Sequence, residues 1–480
     1  MKLPKITIEH LWIILIIGTV FGYVCTVPVD EIDFWHYLKA GEFMMTSHKF
    51  IDKDIFSFTM LNQSYVNFHW ASQVIYYLLY SAGGLYLIEF IHALIITASF
   101  ILLFFLAKER TENIRIASAS LFITFMLSAT NFSLRPQSFS ILFFVLTMYL
   151  LHKRILWAIP LLILIWTNVH AAFLLGLILI LIEWVCSIKN IKSIFNSPFL
   201  YTLITSFLTT LLNPSGIGLY KSVFAVESVS RKVSYITEWE TPSIHDTTGL
   251  LFYAALILLF VLLNISKAKL NRKDLLTFLI FSFLALSCLR SVVWWALIMT
   301  PVFAEVLGKV FKKGGLPNSG TSLPFVNFII VLVFTLYLTG CIPWLKVNNP
   351  FLPASKRLLI NDDTPLEIAN FIKENHKIKN IFNDYSWGSY FIWALRNDQK
   401  VFYDPRCAIF PQKVISDYLL ITGGDYSWES LLKYYRVDAL ALSKNEQNEL
   451  ILLVKASADW KKVYEDKLGI VFLKQTKRIG

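Results

Sequence analysis

Long apolar runs recur at about 11–27, 84–107, 116–131, 137–152, 155–168, 171–188, 198–213, 248–265, 274–289, 291–308 and 324–346. A bilayer core offers no water to an unpaired backbone, so runs of roughly 20 apolar residues cross it as helices. The chain is therefore expected to be a polytopic α-helical membrane protein of about eleven spans. Its 56% hydrophobic and 16% charged residues agree with this, since soluble domains are roughly half apolar and about a quarter charged. The net charge of +11 would suit nucleic acid. The Lys and Arg residues, however, sit in short loops between apolar runs, the pattern that orients a membrane protein, and nucleic-acid binding is the weaker reading.

The first run follows Lys2 and Lys5 and has no small-residue cleavage site after it, so it reads as a retained signal anchor. With those lysines inside, the inner loops are 108–115, 153–154, 189–192, 267–273 and 309–313, each with two or more Lys or Arg. The outer connections are 28–83, 131–137, 167–171, 213–248, the turn at Arg290 and everything after about 346. An odd number of spans places the C-terminal part outside. Of the five cysteines, four lie in or beside apolar runs and Cys407 lies in the polar tail, so neither a disulfide framework nor a CxxC metal site is available.

Residues 1–346 read as the membrane domain, with 28–83 as its first outer loop, and 350–480 as a small α/β domain. Strand candidates in the latter are 378–382, 400–403, 439–443 and 470–473, with helices near 389–395, 427–435 and 446–456. Thr364 with Pro365 reads as a helix start. In the first outer loop, 34–45 and 71–79 carry helical periodicity and are expected along the membrane surface.

The chemistry-bearing residues gather on the outer side. Asp30, Glu31 and Asp33 stand with Trp35 and His36 directly after the first span, where carboxylates beside hydrocarbon are costly unless paired, hydrated or used. A membrane enzyme facing away from the cytosol cannot draw on cytosolic nucleotide sugars, so its natural donor is an activated lipid. Sugar transfer from a polyprenyl phosphate needs a base for the acceptor hydroxyl and hydrogen-bond donors for the departing phosphate. Asp33 is the candidate base, with Asp30 and Glu31 as neighbouring alternatives and His36 beside them. Arg135, Arg290, and Arg231 with Lys232 are candidates for the phosphate, because a guanidinium forks onto phosphate oxygens. Asn168, His170, Asp54, His69, Trp70 and Glu238 complete the candidate substrate contacts.

Each has a plainer use. Asp33 can cap a helix, Arg135 and Arg290 can snorkel, and Asn168 with His170 can serve free carbonyls at a helix break. The charged pairs of 213–248 can simply be solvated, Glu89 and His92 read as helix packing, and Trp387-Gly388 reads as a sugar platform or a packing turn. His36 and His69 with Asp33 are also a candidate set for a divalent cation, Mg or Mn, although their spacing is not diagnostic. Phosphate loops, dinucleotide-binding turns and HExxH pairs do not occur.

Several stretches share an order. Glu31-Ile32-Asp33-Phe34-Trp35 with Leu38 and Gly41 precedes Asp54-Ile55-Phe56-Ser57-Phe58-Thr59. Next come Leu134-Arg135-Pro136-Gln137, Trp166-Thr167-Asn168-Val169-His170, Leu212-Asn213-Pro214-Ser215-Gly216 and Glu238-Trp239. Asn383-Asp384-Tyr385-Ser386-Trp387-Gly388 and Tyr403-Asp404-Pro405-Arg406 close the series. Together they resemble bacterial integral membrane proteins of the GT-C glycosyltransferase superfamily, and within it a large, poorly characterised branch. The resemblance implies a GT-C-like fold, a dolichyl- or polyprenyl-linked sugar donor, and Asp33 as the catalytic acid of the first periplasmic loop. Glu31 stands where the family's first aspartate is expected, Tyr37 where a histidine is expected, and His69 one place from its expected position. It further implies an inverting transferase in the bacterial cytoplasmic membrane, N-terminus inside and C-terminal domain outside, acting on an envelope glycan, lipid or protein. The competing expectations are a transporter or flippase for a lipid-linked glycan and a non-catalytic polysaccharide assembly protein. Against transport, the spans lack a series of buried acids and an inverted repeat.

Overall fold

In a computed structural model, residues 6–30, 32–230, 237–314 and 323–475 are described. Glu31, Arg231 and Lys232 lie outside the described residues, as do Lys2 and Lys5. The chain divides into two compact units, Met1–Pro28 with Gly83–Ile217 and Arg231–Leu359, and Val29–Ala82 with Gly218–Ser230 and Ile360–Gly480. This differs from the boundary read at 350, because 29–82 groups with the C-terminal residues.

The first unit is helical. Among the described residues six helices are long and apolar enough to cross a membrane: Ile8–Cys25, Trp70–Thr111, Ile114–Asn131, Thr247–Ser266, Leu289–Lys312 and Pro324–Cys341. The protein is thus a multi-pass membrane protein, with a different count from the eleven expected. The remaining apolar runs form the shorter helices Gln137–His152, Ala158–Val169, Phe173–Ser187, Pro198–Thr210 and Arg272–Ser287. At 1.5 Å per residue, helices of 12–16 residues fall short of a hydrocarbon core of about 30 Å. Parity of crossings therefore does not fix the side of the C-terminal residues. The helix Trp70–Thr111 is broken at Gly83 and Gly84, and Gly84, at φ 63° and ψ −159°, takes a backbone that side-chain-bearing residues avoid. Inside the helical unit Lys346, fully buried, pairs with Glu89 at 2.7 Å, and Arg110 bridges Asp274 and Glu305. Glu89 thus does more than pack.

The second unit is built on a five-stranded sheet of β1 (Asn380–Asn383), β2 (Lys400–Val401), β3 (Ala439–Ser443), β4 (Trp460–Glu465) and β5 (Gly469–Lys474), in the order β2-β1-β3-β5-β4. β1 runs parallel to β2 and β3, whereas β3, β5 and β4 are antiparallel. Four strands match the sequence expectation. β4 was not anticipated, because Trp460-Lys461-Lys462 shows no clean alternation. β3 is buried along its whole length, which is why it reads as a short continuous apolar run.

The segment after Val29 belongs to this sheet's core. Ala40, Met44, Ile51 and Phe56 pack with Ile368, Ile381, Val401 and Val471. Ser57 bridges Val401 in parallel, and the Phe58 amide donates to the Val401 carbonyl at 3.1 Å. The helix Phe34–Ser47 is correspondingly buried at Phe34, Trp35, His36, Leu38 and Ala40, a correction to the expected surface-lying helix. Its N-terminal half is enclosed, and only Met45 and Thr46 near its C-terminal end are exposed. Pro365, rather than Thr364, occupies the N-cap of the helix Leu366–Glu374, without a side-chain cap. Trp387 is 5% exposed, and a Cβ on Gly469 would overlap its ring, so the packing-turn reading of Trp387-Gly388 holds.

Candidate functional site

Two polar clusters emerge, one in each unit. In the sheet-bearing unit, Asp33 is the N-cap residue of Phe34–Ser47, but its backbone is helical (φ −88°, ψ −19°) and its side chain makes no capping hydrogen bond. The helix starts there because Phe34-Trp35 and Leu38 bury at once, so its first turn is held by packing. Asp33 is half-buried, and its charge acts on Tyr385 and Cys407. The Tyr385 hydroxyl and Cys407 Sγ lie 3.3 Å apart. Burial raises both groups, the Cys407 thiol to about 11, and the Asp33 carboxylate adds to each rise. Both therefore stand as neutral hydrogen-bonding groups near the candidate base.

His36 is buried, its backbone N–H donates to Ser389 Oγ at 2.8 Å, and its Nδ1 has no hydrogen-bond partner. Burial holds its pKa well below the usual value, assisted by Arg406 and His69, so the ring is neutral. The Tyr37 ring lies tilted 4.2 Å from that of His36 and meets that of His69 edge-on at 5.4 Å. Among the described residues no three His, Cys, Asp or Glu side chains are grouped to hold a metal.

Other candidates in this unit take structural posts. Asp54 is 1% exposed; it accepts from the Ser57 amide at 2.9 Å and hydroxyl at 2.6 Å, and from Arg406 Nη1 at 2.7 Å. Desolvation would raise its carboxyl, but Arg406 and the Ser57 donors outweigh that and lower it. Arg406 also forks onto Asp404 at 2.8 and 2.7 Å and lies over the rings of Phe56 and Tyr65. Asp54 is thus spent on Arg406 rather than open to substrate. Trp70 packs on the apolar core, and Asp30, which is exposed, accepts from the Asn361 side-chain amide. Tyr385, Cys407 and Arg406 were not singled out from sequence. The available signal was the pair of motifs around 383–390 and 401–406.

In the helical unit, Pro136 is the N-cap residue of Gln137–His152, so Arg135 sits in the break before that helix, 7% exposed. Its Nη1 donates to both carboxylate oxygens of Glu238, at 2.9 and 3.0 Å. Arg290, at the turn before Val292–Gly314, places Nη1 3.7 Å from Glu238 Oε2 and donates from Nε to Gln137 Oε1 at 3.0 Å. Its guanidinium lies 5.7 Å from the Trp239 ring. Two arginines therefore converge on one carboxylate. Burial would raise Glu238, but Arg135 and then Arg290 hold it below the ordinary carboxylate range. Gln137 and Trp239 were not candidates from sequence, although both lie within the motifs 134–137 and 238–239.

One turn along the same helix from Gln137, Ser140 Oγ lies 2.8 Å from His170 Nδ1 and accepts from Trp166 Nε1 at 2.7 Å. The Ala172 amide, which can only donate, also points at His170 Nδ1 at 3.3 Å. Nδ1 is thereby an acceptor, and Nε2 carries the proton. Asn168 is used locally: it donates to the Leu164 carbonyl at 2.9 Å and accepts from Asn213 at 3.1 Å, tying a helix end to the 213–216 turn.

No described protein family matches the chain, and none of the curated proteins matches it. Among solved structures it is similar to the cryo-EM structure of arabinofuranosyltransferase AftD from Mycobacteria, at 13% identity and a TM-score of 0.48, over 96% of this chain and 41% of that one. The chain thus spans less than half of that protein's length, and a likeness at this level assigns neither activity nor substrate.

Proposed function

We propose that the chain is an inverting glycosyltransferase of GT-C type that moves a sugar from a polyprenyl-phosphate donor to an envelope acceptor at the outer face of the bacterial cytoplasmic membrane. The observation that carries this reading is the convergence of Arg135 and Arg290 on one carboxylate at the helix ends of the membrane unit. Such a pair suits an anion that gains charge as a reaction proceeds. A second support is Asp33, a half-buried acid whose side chain is not used in capping the helix that it begins.

In this scheme Asp33 takes the proton of the acceptor hydroxyl. The acceptor oxygen bonds to the anomeric carbon as the bond from that carbon to the phosphate oxygen breaks, inverting the configuration. Polyprenyl phosphate leaves as a monoester of about −1.5 to −2 charge, the kind of anion that a pair of guanidiniums such as Arg135 and Arg290 suits. His36, neutral, does not compete for the proton. Tyr385 and Cys407 supply uncharged donors beside the carboxylate.

The test is turnover of polyprenyl-phosphate sugars by the full chain in nanodiscs, native against Asp33→Asn, read as free polyprenyl phosphate. Loss of a general base costs about 10²–10⁴ in rate, so release is expected to fall at least about a hundredfold while donor binding persists. Donor bound without turnover by the native chain would instead favour transport or a non-catalytic assembly role.

A further inference from the structure

The carboxylate that the two arginines share is supplied by the protein itself. We propose that Glu238 is a built-in surrogate for the ligand's phosphate: it fills the Arg135–Arg290 anion site in the free protein and rotates out when a prenyl phosphate monoester enters. The inference rests on the reading of these arginines as the phosphate site, and adds what the site holds when empty of ligand and which charge state it prefers.

Charge is the first support. With Glu238 in place the three side chains carry a net charge of one, enough for a singly charged phosphodiester but not for the monoester that leaves. Rotating Glu238 away removes the one carboxylate that Arg135 and Arg290 share, so the exchange favours the product-like, doubly charged state.

Geometry is the second. Arg135 donates through one nitrogen, Nη1, to both Glu238 oxygens, and Arg290 reaches the same carboxylate at 3.7 Å, longer than a good hydrogen bond. A carboxylate has two oxygens in one plane. A tetrahedral phosphate offers a third on another side, suited to the longer approach of Arg290. Meanwhile Arg290 is held independently by Gln137 and Trp239, so it stays in place if Glu238 leaves.

The third is that departure asks little of the backbone. The Glu238 carbonyl accepts from Cys288 Sγ at 3.3 Å, and the Glu240 carbonyl accepts from the Leu289 amide at 2.8 Å. These bonds pin the main chain on both sides of Trp239. The Glu238 side chain is nevertheless 40% exposed, so its carboxylate is not enclosed and a rotamer change withdraws it from the arginines.

The probe is farnesyl phosphate, with farnesol as neutral control, bound to the full chain in nanodiscs and measured by calorimetry. Removing the competing carboxylate in Glu238→Gln is expected to tighten farnesyl phosphate about tenfold or more, the scale of one charge-assisted hydrogen bond, with farnesol unchanged. Glu238→Asp, too short to span both guanidiniums, is expected to tighten it less but in the same direction, which guards against misfolding of a single variant. Equal or weaker binding of farnesyl phosphate in both variants overturns the surrogate role. If Arg135→Gln abolishes binding while both Glu238 variants leave it unchanged, the phosphate site stands and the surrogate falls. If Arg135→Gln leaves binding unchanged, the phosphate site itself falls.

Discussion

Replacing Arg406 by Met is expected to be the most damaging single change in the sheet-bearing unit. The guanidinium side chain is 7% exposed and donates to two carboxylates, Asp404 and Asp54, at 0% and 1% exposure. Met fills the volume between Phe56 and Tyr65, so the loss is electrostatic rather than a cavity. Removing one partner of a buried pair costs about 3–5 kcal/mol, because the other is left charged and unpaired. Asp54 retains the Ser57 amide and hydroxyl, and Asp404 retains the Arg406 backbone N–H, which argues for about 4 kcal/mol rather than twice the single-pair cost. For a unit of roughly 150–250 residues each kcal/mol moves Tm by about 2–4 °C, so a drop of about 10 °C is expected. The assay is thermal unfolding of the full chain in nanodiscs, followed by proteolytic sensitivity of the 360–475 region. Adding Asp54→Asn to the Met variant removes one stranded charge and should recover part of the loss. A Tm within about 2 °C of native, or no recovery in the double variant, would refute the claim that two buried carboxylates depend on this guanidinium.

Two further outcomes follow from the same unit. The Asp54 carboxyl is lowered in the folded state, so its stabilisation is present above the unfolded value of about 3.9 and is lost as pH falls through the folded value. Native Tm should therefore drop more steeply on acidification from about pH 5 to 3 than that of Asp54→Asn, and parallel curves would remove Asp54 from the acid response. Gly41→Ala would bring a Cβ within 2.8 Å of Tyr77 Cβ and closer still to the Gln73 carbonyl. With backbone on one side no rotamer relieves it, and a loss of at least about 2 kcal/mol is expected, against no measurable change in Tm if the two helices can part.

Membrane character was legible because it depends on hydropathy summed over some twenty residues, a one-dimensional quantity. Every apolar run became a helix, but whether each is a full span was not legible. Pro136 starts a helix of 16 residues and the extended backbone of His170 ends one of 12, and a hydropathy that is high throughout both does not say whether so short a helix crosses. Strands β1, β2, β3 and β5 were legible as short apolar runs between turn signals, whereas the lysines of β4 masked a strand at the sheet edge, where charge is tolerated. For the candidate site, Arg135, Arg290 and Glu238 were each nameable, but nothing in the sequence said that they meet, since 103 residues separate the first and last. Asp54 was misjudged because an acid in a polar loop looks available until its partner, 352 residues away, is known.

The sequence by itself determined which stretches are apolar enough to form membrane helices, the chemistry carried by the polar connections and most of the local elements, all of which follow from side chains and their near neighbours. Only the tertiary structure decided which charges are spent on one another. It committed Asp54 to Arg406, put Glu238 between two arginines and left Asp33 uncapping. The physical reason is that an ion pair's worth depends on distance and on the water excluded around it, and neither is a property of position along the chain.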